Sequence, residues 1–313
     1  MLPKLAVISG ASSGIGYAAA LYLAQAGWQV MAGVRTPQDA DKLRHDSVTQ
    51  GFTGLMPVML EITDASSIEG VRRQAQDWLS RQQPPSPNGQ QAEPEQAVSS
   101  PAYVLAVINN AGYSLAGPLE HLPIEAIRHQ LEVNVLGSIA LTQALLPLLK
   151  GAQRGRLVMM SSISGRISLP YIGPYAASKH ALEAIADAWR VELDPWGVCV
   201  SVIQPGAVQT PIWQRAQTQA QQLSAQFPAE AWHDYGADLQ RFNRLAQRCE
   251  QTGMPVSAVV QAIHHAVSHP RPKARYLLGA DAKRNRWLNH LPAAWRDGLI
   301  RWGLRGRFGK NAP

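Results

Sequence analysis

The stretch Ser9-Gly10-Ala11-Ser12-Ser13-Gly14-Ile15-Gly16 stands between an apolar, strand-like run over 5–9 and a helical pattern over 14–26. A glycine-rich turn in this position lets the backbone approach a pyrophosphate closely, and it directs the N–H groups of the following helix at the anion. Glycine-rich turns also arise by chance or for packing, so the placement between a strand and a helix gives the motif its weight. The turn predicts a dinucleotide site that includes Gly10, Ser12, Ser13, Gly14, Ile15 and Gly16.

Short apolar runs alternate with amphipathic helical patterns along the first 210 residues. Strands are predicted at 5–9, 29–34, 55–62, 104–109, 156–161 and 198–204, and helices at 14–26, 38–49, 65–81, 123–149 and 174–195. Strands that are apolar almost throughout and separated by helices indicate a parallel sheet covered on both faces. The fold class is therefore α/β, a doubly wound parallel sheet of the Rossmann type, completed by a helix over 255–268 and a strand over 275–278.

Three segments outside this alternation define the predicted domain organisation. A Pro- and Gln-rich stretch within 81–101 is typical of a flexible surface loop, either an inert insertion or a partner-binding segment. A Gln- and Ala-rich helical region over 211–249 is predicted to form a substrate lid above the carboxyl edge of the sheet, where open α/β sheets bind ligands. Residues 1–280 then form one domain, and 281–313 form a basic amphipathic C-terminal helical tail.

The positive charge of the sequence is concentrated near its end. The formal net charge is +7, of which residues 270–313 contribute +9 and the remainder −2. The nearly neutral body argues against a nucleic-acid-binding protein. In the tail the apolar residues from Trp287 onward fall at 287, 288, 291, 295, 299 and 302. A basic helical stripe with tryptophans predicts peripheral membrane contact, and the alternative is packing on its own domain or a second subunit.

Composition and cysteine usage indicate a folded protein of a reducing compartment. Hydrophobic residues make up 46% and charged residues 16% of the chain. Cys199 and Cys249 cannot form a disulfide framework, and no Cys/His cluster has the spacing of metal ligands, so we expect no metal site. The sequence shows no secretory signal, and the run 133–149 contains polar residues that favour a buried helix over a membrane span. We therefore expect a cytoplasmic protein.

Arg35 follows the second predicted strand, where dinucleotide sites select their cofactor. Val34 occupies the position at which an acidic residue would bind the adenosine ribose hydroxyls. Arg35 can instead form charge-assisted hydrogen bonds with a 2′-phosphate. The sequence therefore favours NADP(H), and NAD(H) remains the alternative if Arg35 is a solvated surface charge.

Ser161, Ser162, Tyr175 and Lys179 form the predicted catalytic constellation. Tyr175 and Lys179 are spaced i,i+4, so both project from one helix face, and the ammonium is expected to lower the pKa of the phenol. A phenol of lowered pKa can act as general acid and base. An i,i+4 Tyr/Lys pair is usually structural, but here it accompanies a glycine-rich turn and a polar strand end.

Together these motifs resemble the short-chain dehydrogenase/reductase family in its single-domain form, over about residues 4 to 280. The matching segments are Ser9–Gly16, Asn109-Asn-Ala-Gly112, Val133-Asn-Val135, Ser162, Tyr175-x-x-x-Lys179 and Pro205-Gly-Ala-Val-Gln-Thr210. Residues 32–35, residues 173–179 and the extended C-terminus are most similar to the branch acting on hydroxysteroids, retinol and related lipophilic alcohols.

The resemblance implies a role for each matching residue. Tyr175 would be the general acid/base, Lys179 would lower its pKa and bind the nicotinamide ribose, and Ser162, favoured over Ser161 and Ser164, would bind the substrate oxygen. Asn134 would hold a water through a local helix distortion. The remaining cofactor contacts would come from Asn110, Ala111 and Gly112, from Pro205, Gly206, Val208 and Thr210, and from Ile62 and Glu61. Glu61 replaces the expected Asp, which puts its adenine contact in doubt.

The sequence thus predicts an NADP(H)-preferring oxidoreductase that interconverts an alcohol and its ketone or aldehyde on a steroid-, retinoid- or lipid-like substrate. One alternative is a reductase of small ketones or 3-oxoacyl groups, and another is a non-catalytic NADP(H)-binding redox sensor. The acid/base pair argues against the sensor, which has no need of it. Relatives that pair through their fourth and fifth helices imply a homodimer or homotetramer.

Overall fold

A parallel sheet organises the protein. The structure, a computed structural model, describes residues 2–82 and 102–306. Over these residues seven strands pair in parallel in the order β3-β2-β1-β4-β5-β6-β7. The strands are β1 (Lys4–Ile8), β2 (Gln29–Val34), β3 (Leu55–Met59), β4 (Val104–Asn109), β5 (Arg154–Met160), β6 (Cys199–Pro205) and β7 (Arg275–Leu278). The order reverses between β1 and β4, which opens a crevice at their carboxyl ends.

Helices cover both faces of the sheet. They are α1 (Gly14–Gln25), α2 (Pro37–Thr49), α3 (Ala65–Arg81), α4 (Ile124–Leu131), α5 (Gly137–Gly151), α6 (Gly173–Glu192), α7 (Ile212–Ser224), α8 (Ala229–Thr252), α9 (Val256–Ser268), α10 (Ala280–Asn285) and α11 (Ala293–Gly306). On one face Leu23 of α1, Leu43 of α2 and Ile263 of α9 are fully buried. On the other, Val71 of α3 and Leu141 of α5 are fully buried. The predicted doubly wound α/β fold is confirmed.

Most predicted elements agree with the structure, and the differences have local causes. The strands at 29–34, 104–109 and 275–278 are confirmed residue for residue. The third strand ends at Met59 rather than at residue 62, because the Glu61 N–H donates to Ser67 Oγ at 2.9 Å and turns the chain toward α3. The predicted loop at 81–101 begins after Arg81, the last residue of α3, and 83–101 lie outside the described residues.

The predicted helix over 123–149 forms one helical run, which changes from α-helical to π-helical hydrogen bonding and back. A π-helical turn at Glu132–Leu136 separates α4 from α5. Among the described residues, the helical run Ile124–Gly151 is the one long and apolar enough to span a membrane on length and composition alone. Leu141, Leu145 and Leu149 of this run are fully buried with residues of the sheet, as expected for a core helix.

The lid and tail segments are helical, with one correction to the tail. The region predicted as 211–249 forms α7 and α8. The stripe predicted from Trp287 to residue 302 is not one helix, because a 3₁₀ turn at Arg286–His290 precedes α11. Pro292 disfavours helical geometry at the residue before it and so separates the two pieces. Trp295 and Trp302 therefore share α11, whereas Trp287 lies on the 3₁₀ turn.

Candidate active site

The glycine-rich turn packs against the end of β4 at distances that only glycine allows. A Cβ on Gly16 would lie 2.3 Å from the Gly10 carbonyl oxygen and 2.4 Å from Asn110 Nδ2, and one on Gly10 would lie 2.8 Å from Ala111 Cα. The Ser9 hydroxyl accepts the Asn110 and Ala111 N–H groups at 3.1 and 3.0 Å. The turn and the Asn110–Gly112 segment therefore pack closely together at the carboxyl ends of β1 and β4.

The first turn of α1 is suited to an anion. Ser13 is the N-cap residue, and within the described residues its side chain accepts no capping hydrogen bond. The first turn carries no acidic side chain in this part of the structure, so the N–H groups and the positive end of the helix dipole are uncompensated. Ser12, Ser13 and Ile15 are partly exposed at this turn. A pyrophosphate group fits these donors.

Arg35 lies exposed directly after β2, at the edge of an ion pair with Glu61. Its side chain is 71% exposed, and its Nη1 is 4.0 Å from Glu61 Oε2. The other Glu61 oxygen accepts from the Thr63 N–H and hydroxyl at 3.2 and 3.0 Å. Ile62 is buried against Gly137 at the start of α5. Glu61 is thus held beside Arg35, where it competes with an anionic ligand for the guanidinium.

Asn134 lies in the π-helical turn, and its side chain is hydrogen-bonded to the backbone of Tyr113, the residue that follows Gly112. Its Oδ1 accepts the Tyr113 N–H at 3.0 Å, and its Nδ2 donates to the Tyr113 carbonyl oxygen and to Ser178 Oγ, both at 3.0 Å. The side chain is fully buried. The structure therefore has a local helix distortion at Asn134, as predicted, and π-turns of this kind often occur at functional sites.

Ser162, Tyr175 and Lys179 meet at the carboxyl end of β5. The Ser162 hydroxyl accepts the Ser164 N–H at 3.1 Å and lies near enough to the Tyr175 phenol to lower the phenol's pKa, against the larger effect of burial. Lys179 Nζ lies 5.7 Å from the centroid of the Tyr175 ring and donates to the Met160 carbonyl oxygen at 2.7 Å. Ser161 instead faces Gly165, at 2.5 Å from the position a Cβ would take there. The structure thus brings Ser162, the serine favoured by the sequence, to the phenol.

Burial shifts the protonation equilibria of both titratable groups. It raises the pKa of Tyr175 above the usual value of 10.0, and this effect exceeds the lowering by the Ser162 hydrogen bond. It lowers the pKa of Lys179 to about 8, against the opposing effect of the nearby Glu183 carboxylate. The Lys179 ammonium donates to the Met160 carbonyl oxygen, and burial sets the upward direction of the shift for Tyr175, so the lowering of the phenol's pKa by Lys179 stays a prediction. The phenol is a protonated donor at neutral pH.

The loop after β6 closes the site from the side opposite Arg35. Its Pro205 carbonyl oxygen is 3.5 Å from the Ser162 hydroxyl. Its Val208 pairs with Met254 in an isolated parallel bridge. Thr210 Cβ lies 3.4 Å from the position a Cβ would take on Gly14. Pro205, Gly206, Val208 and Thr210 therefore connect the catalytic constellation to the glycine-rich turn.

Helix α8 forms side-chain hydrogen bonds to two segments that are distant along the chain. Tyr171, four residues before Tyr175, donates its hydroxyl to Asp238 of α8 at 2.8 Å. Tyr235 of α8 donates to Glu120 at 2.7 Å. A largely apolar cleft lies beneath, lined by Ala116, Gly117, Ala220, Phe227, Trp232 and Phe242. The role of 211–249 as a substrate lid stays a prediction, because the residues that line this cleft do not include Ser162, Tyr175 or Lys179.

Comparison with known proteins assigns the family. The sequence model of the short chain dehydrogenase family matches residues 4–81 and 89–221. The chain belongs to the short-chain dehydrogenase family. This dehydrogenase is 33% identical over 279 residues to NADPH-dependent 3-dehydrocapnine reductase of Ornithobacterium rhinotracheale, with 88% of each chain covered. It is 33% identical over 308 residues to retinol dehydrogenase 16 of Mus musculus, with 96% of this chain and 88% of the relative covered.

A solved structure supports the fold of the dehydrogenase. A short-chain dehydrogenase from Streptomyces avermitilis has a TM-score of 0.68 and 23% identity, covering 99% of this chain and 98% of that chain. With its family assigned, the protein is an oxidoreductase that depends on a nicotinamide cofactor. Within the described residues no group of three or more His, Cys, Asp or Glu side chains could hold a metal ion.

Two carboxylates at the site of this dehydrogenase were not singled out by the sequence analysis. Glu183 of α6 is buried and accepts from Gln204 Nε2 at 2.8 Å and from Arg275 Nε at 3.1 Å. Its i,i+4 spacing from Lys179 was the available signal. Asp281, after β7, accepts the Ala207 N–H at 2.9 Å. Its role depends on a long-range contact that one sequence does not reveal.

Proposed function

We propose that this dehydrogenase transfers hydride between NADP(H) and a lipophilic alcohol or carbonyl compound, with Tyr175 as general acid and base. The convergence of Ser162, Tyr175 and Lys179 at the end of β5 is the observation that carries the proposal. The names of its relatives support the finer assignment, because one is an NADPH-dependent reductase and another a retinol dehydrogenase. The apolar side chains of Phe227, Trp232 and Phe242, around a cavity of about 50 Å³, also favour a lipophilic substrate.

The proposed cofactor site follows the carboxyl edge of the sheet. The N–H groups of the glycine-rich turn would hold the pyrophosphate, Arg35 the 2′-phosphate, and Asn110, Ala111 and Gly112 the adenosine side. Tyr175 and Lys179 would hold the nicotinamide ribose, and the loop after β6 the nicotinamide. When bound, the nicotinamide would supply hydride to the carbonyl carbon or take it from the alcohol carbon. Metal ligands play no part in this proposal.

Side chains of the protein would supply the proton that the substrate oxygen takes up during reduction. Ser162 would hold the substrate oxygen by a hydrogen bond while Tyr175 donates its proton to that oxygen. Because burial raises its pKa, the phenol is protonated at neutral pH and carries the proton that reduction of a carbonyl requires. Below about pH 8 Lys179 carries a charge that would stabilise the phenolate left behind. Asn134 would keep the Gly112–Tyr113 segment in place through its hydrogen bonds.

Arg35→Ala tests the cofactor preference. We expect the variant to lose about ten- to a hundredfold in NADPH affinity, because one charge-assisted pair contributes about 1.5–3 kcal/mol, while NADH affinity changes little. Fluorescence titration, following energy transfer from tryptophan to the nicotinamide, gives the Kd values. Arg44→Ala is the matched control, since Arg44 is also exposed beside a carboxylate, Asp41 at 2.8 Å. Equal affinities of the wild type for NADPH and NADH would overturn the preference.

We also propose that the tail contacts anionic membrane surfaces. Trp295 and Trp302 of α11 are 70% and 73% exposed, in a region of net charge +9. Exposed tryptophans on a basic helix match the boundary between lipid headgroups and acyl chains. Such contact suits an enzyme whose substrate partitions into lipid.

Vesicle sedimentation tests this contact. The wild type is expected to bind phosphatidylserine-containing vesicles at low salt and to be released by added salt, and Trp295→Ala/Trp302→Ala to bind about tenfold less. Trp196→Ala is the control, because Trp196 is 47% exposed elsewhere, against Lys150. Equal binding to phosphatidylserine-containing and purely zwitterionic vesicles, or no loss in the double variant, would contradict the proposal.

We further propose a homodimer or homotetramer that works in the cytoplasm or at its membrane surfaces. Ile124, Leu131 and Leu136 are exposed along α4 and the π-turn. A row of exposed apolar side chains on one helical run supports a contact between subunits there.

A further inference from the structure

The loop after β6 is held from two sides by groups outside it. On one side the Gly206 N–H donates to the Leu278 carbonyl oxygen at 2.9 Å, and the Ala207 N–H donates to Asp281 Oδ2 at 2.9 Å. On the other side the Met254 N–H donates to the Ala207 carbonyl oxygen at 2.8 Å. Asp281 is the one side chain among these three partners, and Trp213 Nε1 also donates to the Val208 carbonyl oxygen at 2.8 Å. Of the two side chains, Asp281 is the one that carries a charge.

The carboxylate of Asp281 sits in a notch formed by two glycines. A Cβ on Gly206 would lie 2.2 and 2.4 Å from its oxygens, and a Cβ on Gly279 would lie 2.5 Å from Oδ1. Gly279 also has a φ of +100°, which favours glycine. Any side chain at either position would displace the carboxylate from the Ala207 N–H. The absence of side chains at Gly206 and Gly279 therefore allows the Asp281 carboxylate to reach this loop.

Asp281 is an acidic residue in a strongly basic part of the sequence. Residues 270–313 contain eleven Lys and Arg residues but only Asp281 and Asp297 as acids. Asp297 is an exposed residue of α11, 3.6 Å from Arg296. Asp281 instead accepts a backbone N–H, an interaction that the negative charge strengthens. Among the described side chains, Asp281 therefore contacts the loop and forms no ion pair with a basic residue of the tail.

We propose that Asp281 is a positioning residue for the nicotinamide half of the cofactor site. It acts through the Ala207 N–H, which fixes Pro205, Gly206, Val208 and Thr210 relative to Ser162 and Gly14. Arg35 and Asn110, assigned to the adenosine half, lie at the ends of β2 and β4 and do not depend on this contact. The inference rests on the proposed function, since it assumes that this loop meets the nicotinamide.

The test compares the binding of two ligands, one that occupies the whole cofactor site and one that occupies only its adenosine half. NADPH requires both halves, whereas 2′,5′-ADP occupies only the adenosine half. Asp281→Ala is expected to weaken NADPH binding about tenfold and to leave 2′,5′-ADP binding within about twofold of wild type, because only the loop loses an anchor. Asp281→Asn keeps an acceptor oxygen and is expected to stay within about threefold of wild type for both ligands. Calorimetric titration of the full chain gives each Kd.

Further variants keep the test decisive. Asp281→Glu retains the charge but displaces the carboxylate, so it is expected to repeat the Asp281→Ala pattern even if the alanine variant folds poorly. Asp297→Ala, which removes the other acid of the tail, is expected to bind both ligands like wild type. Unchanged NADPH binding in both Asp281→Ala and Asp281→Glu, or equal weakening of both ligands, would overturn the inference. Absence of saturable NADPH binding by the wild type would instead overturn the proposed function.

Discussion

Tyr175→Phe is expected to lose about 10²–10⁴-fold in kcat, while its Kd for NADPH stays within about threefold of wild type. The substitution removes the phenol proton beside Ser162 but keeps the partly buried ring on α6. Loss of the donor leaves the developing charge on the substrate oxygen without a proton source. NADPH oxidation, followed by absorbance, gives turnover, and fluorescence titration gives the Kd.

Tyr22→Phe is the control for removal of a tyrosine hydroxyl. Tyr22 lies partly exposed on α1, where its ring packs edge-on against His264, away from the catalytic helix. This variant is expected to turn over substrate like wild type. If Tyr175→Phe also retained full turnover, the assignment of Tyr175 as general acid would be wrong.

Lys179→Met is the second substitution with a large expected effect. It removes the ammonium that lies 5.7 Å from the Tyr175 ring centroid and replaces it with an apolar chain of similar length. We expect kcat/KM to fall about 10²–10⁴-fold, because the phenolate loses its stabilising charge, and NADPH to bind more weakly. In the wild type, kcat/KM for reduction is expected to decline as pH rises through about 8, where Lys179 loses its proton.

The same variant gives a measurement of stability against pH. The pKa of Lys179 is about 8 in the folded protein, below its ordinary value of 10.5, so the unfolded chain binds more protons between these values. Lys179 therefore makes the free energy of unfolding rise with pH across that window, by at most about 1.4 kcal/mol per pH unit. The raised pKa of Tyr175 acts only above pH 10. Chemical denaturation of the wild type between pH 8 and 10 should show a rise that Lys179→Met lacks, and parallel curves would contradict the buried cationic lysine.

The parts of the site that were predictable from sequence are those set by local geometry. The glycine-rich turn and the i,i+4 spacing of Tyr175 and Lys179 are short-range patterns, and the structure has both on the expected elements. The distortion at Asn134 was predicted through the family resemblance, and it appears as a π-turn.

What the sequence did not predict depends on burial and on contacts distant along the chain. The pKa of Tyr175 rises because desolvation outweighs a hydrogen bond, and neither quantity is contained in residue spacing. The direction of the Lys179 ammonium depends on the Met160 carbonyl at the end of β5. Asp281 reaches Ala207 across 74 positions, through a glycine notch that only the folded backbone creates. The break in the tail stripe was signalled by Pro292, which a periodicity argument passed over.

The proposed function is the interconversion of lipophilic alcohols and carbonyl compounds with NADP(H). The most direct test is NADPH oxidation by the purified full chain with a series of ketones and aldehydes of increasing apolar size, with Tyr175→Phe as the blank. We expect Tyr175-dependent oxidation of NADPH whose kcat/KM rises with the apolar size of the substrate. Saturable NADPH binding without oxidation of NADPH by any member of the series would contradict the proposed enzyme and favour the redox sensor, and faster turnover of the smallest ketones would contradict the lipophilic substrate.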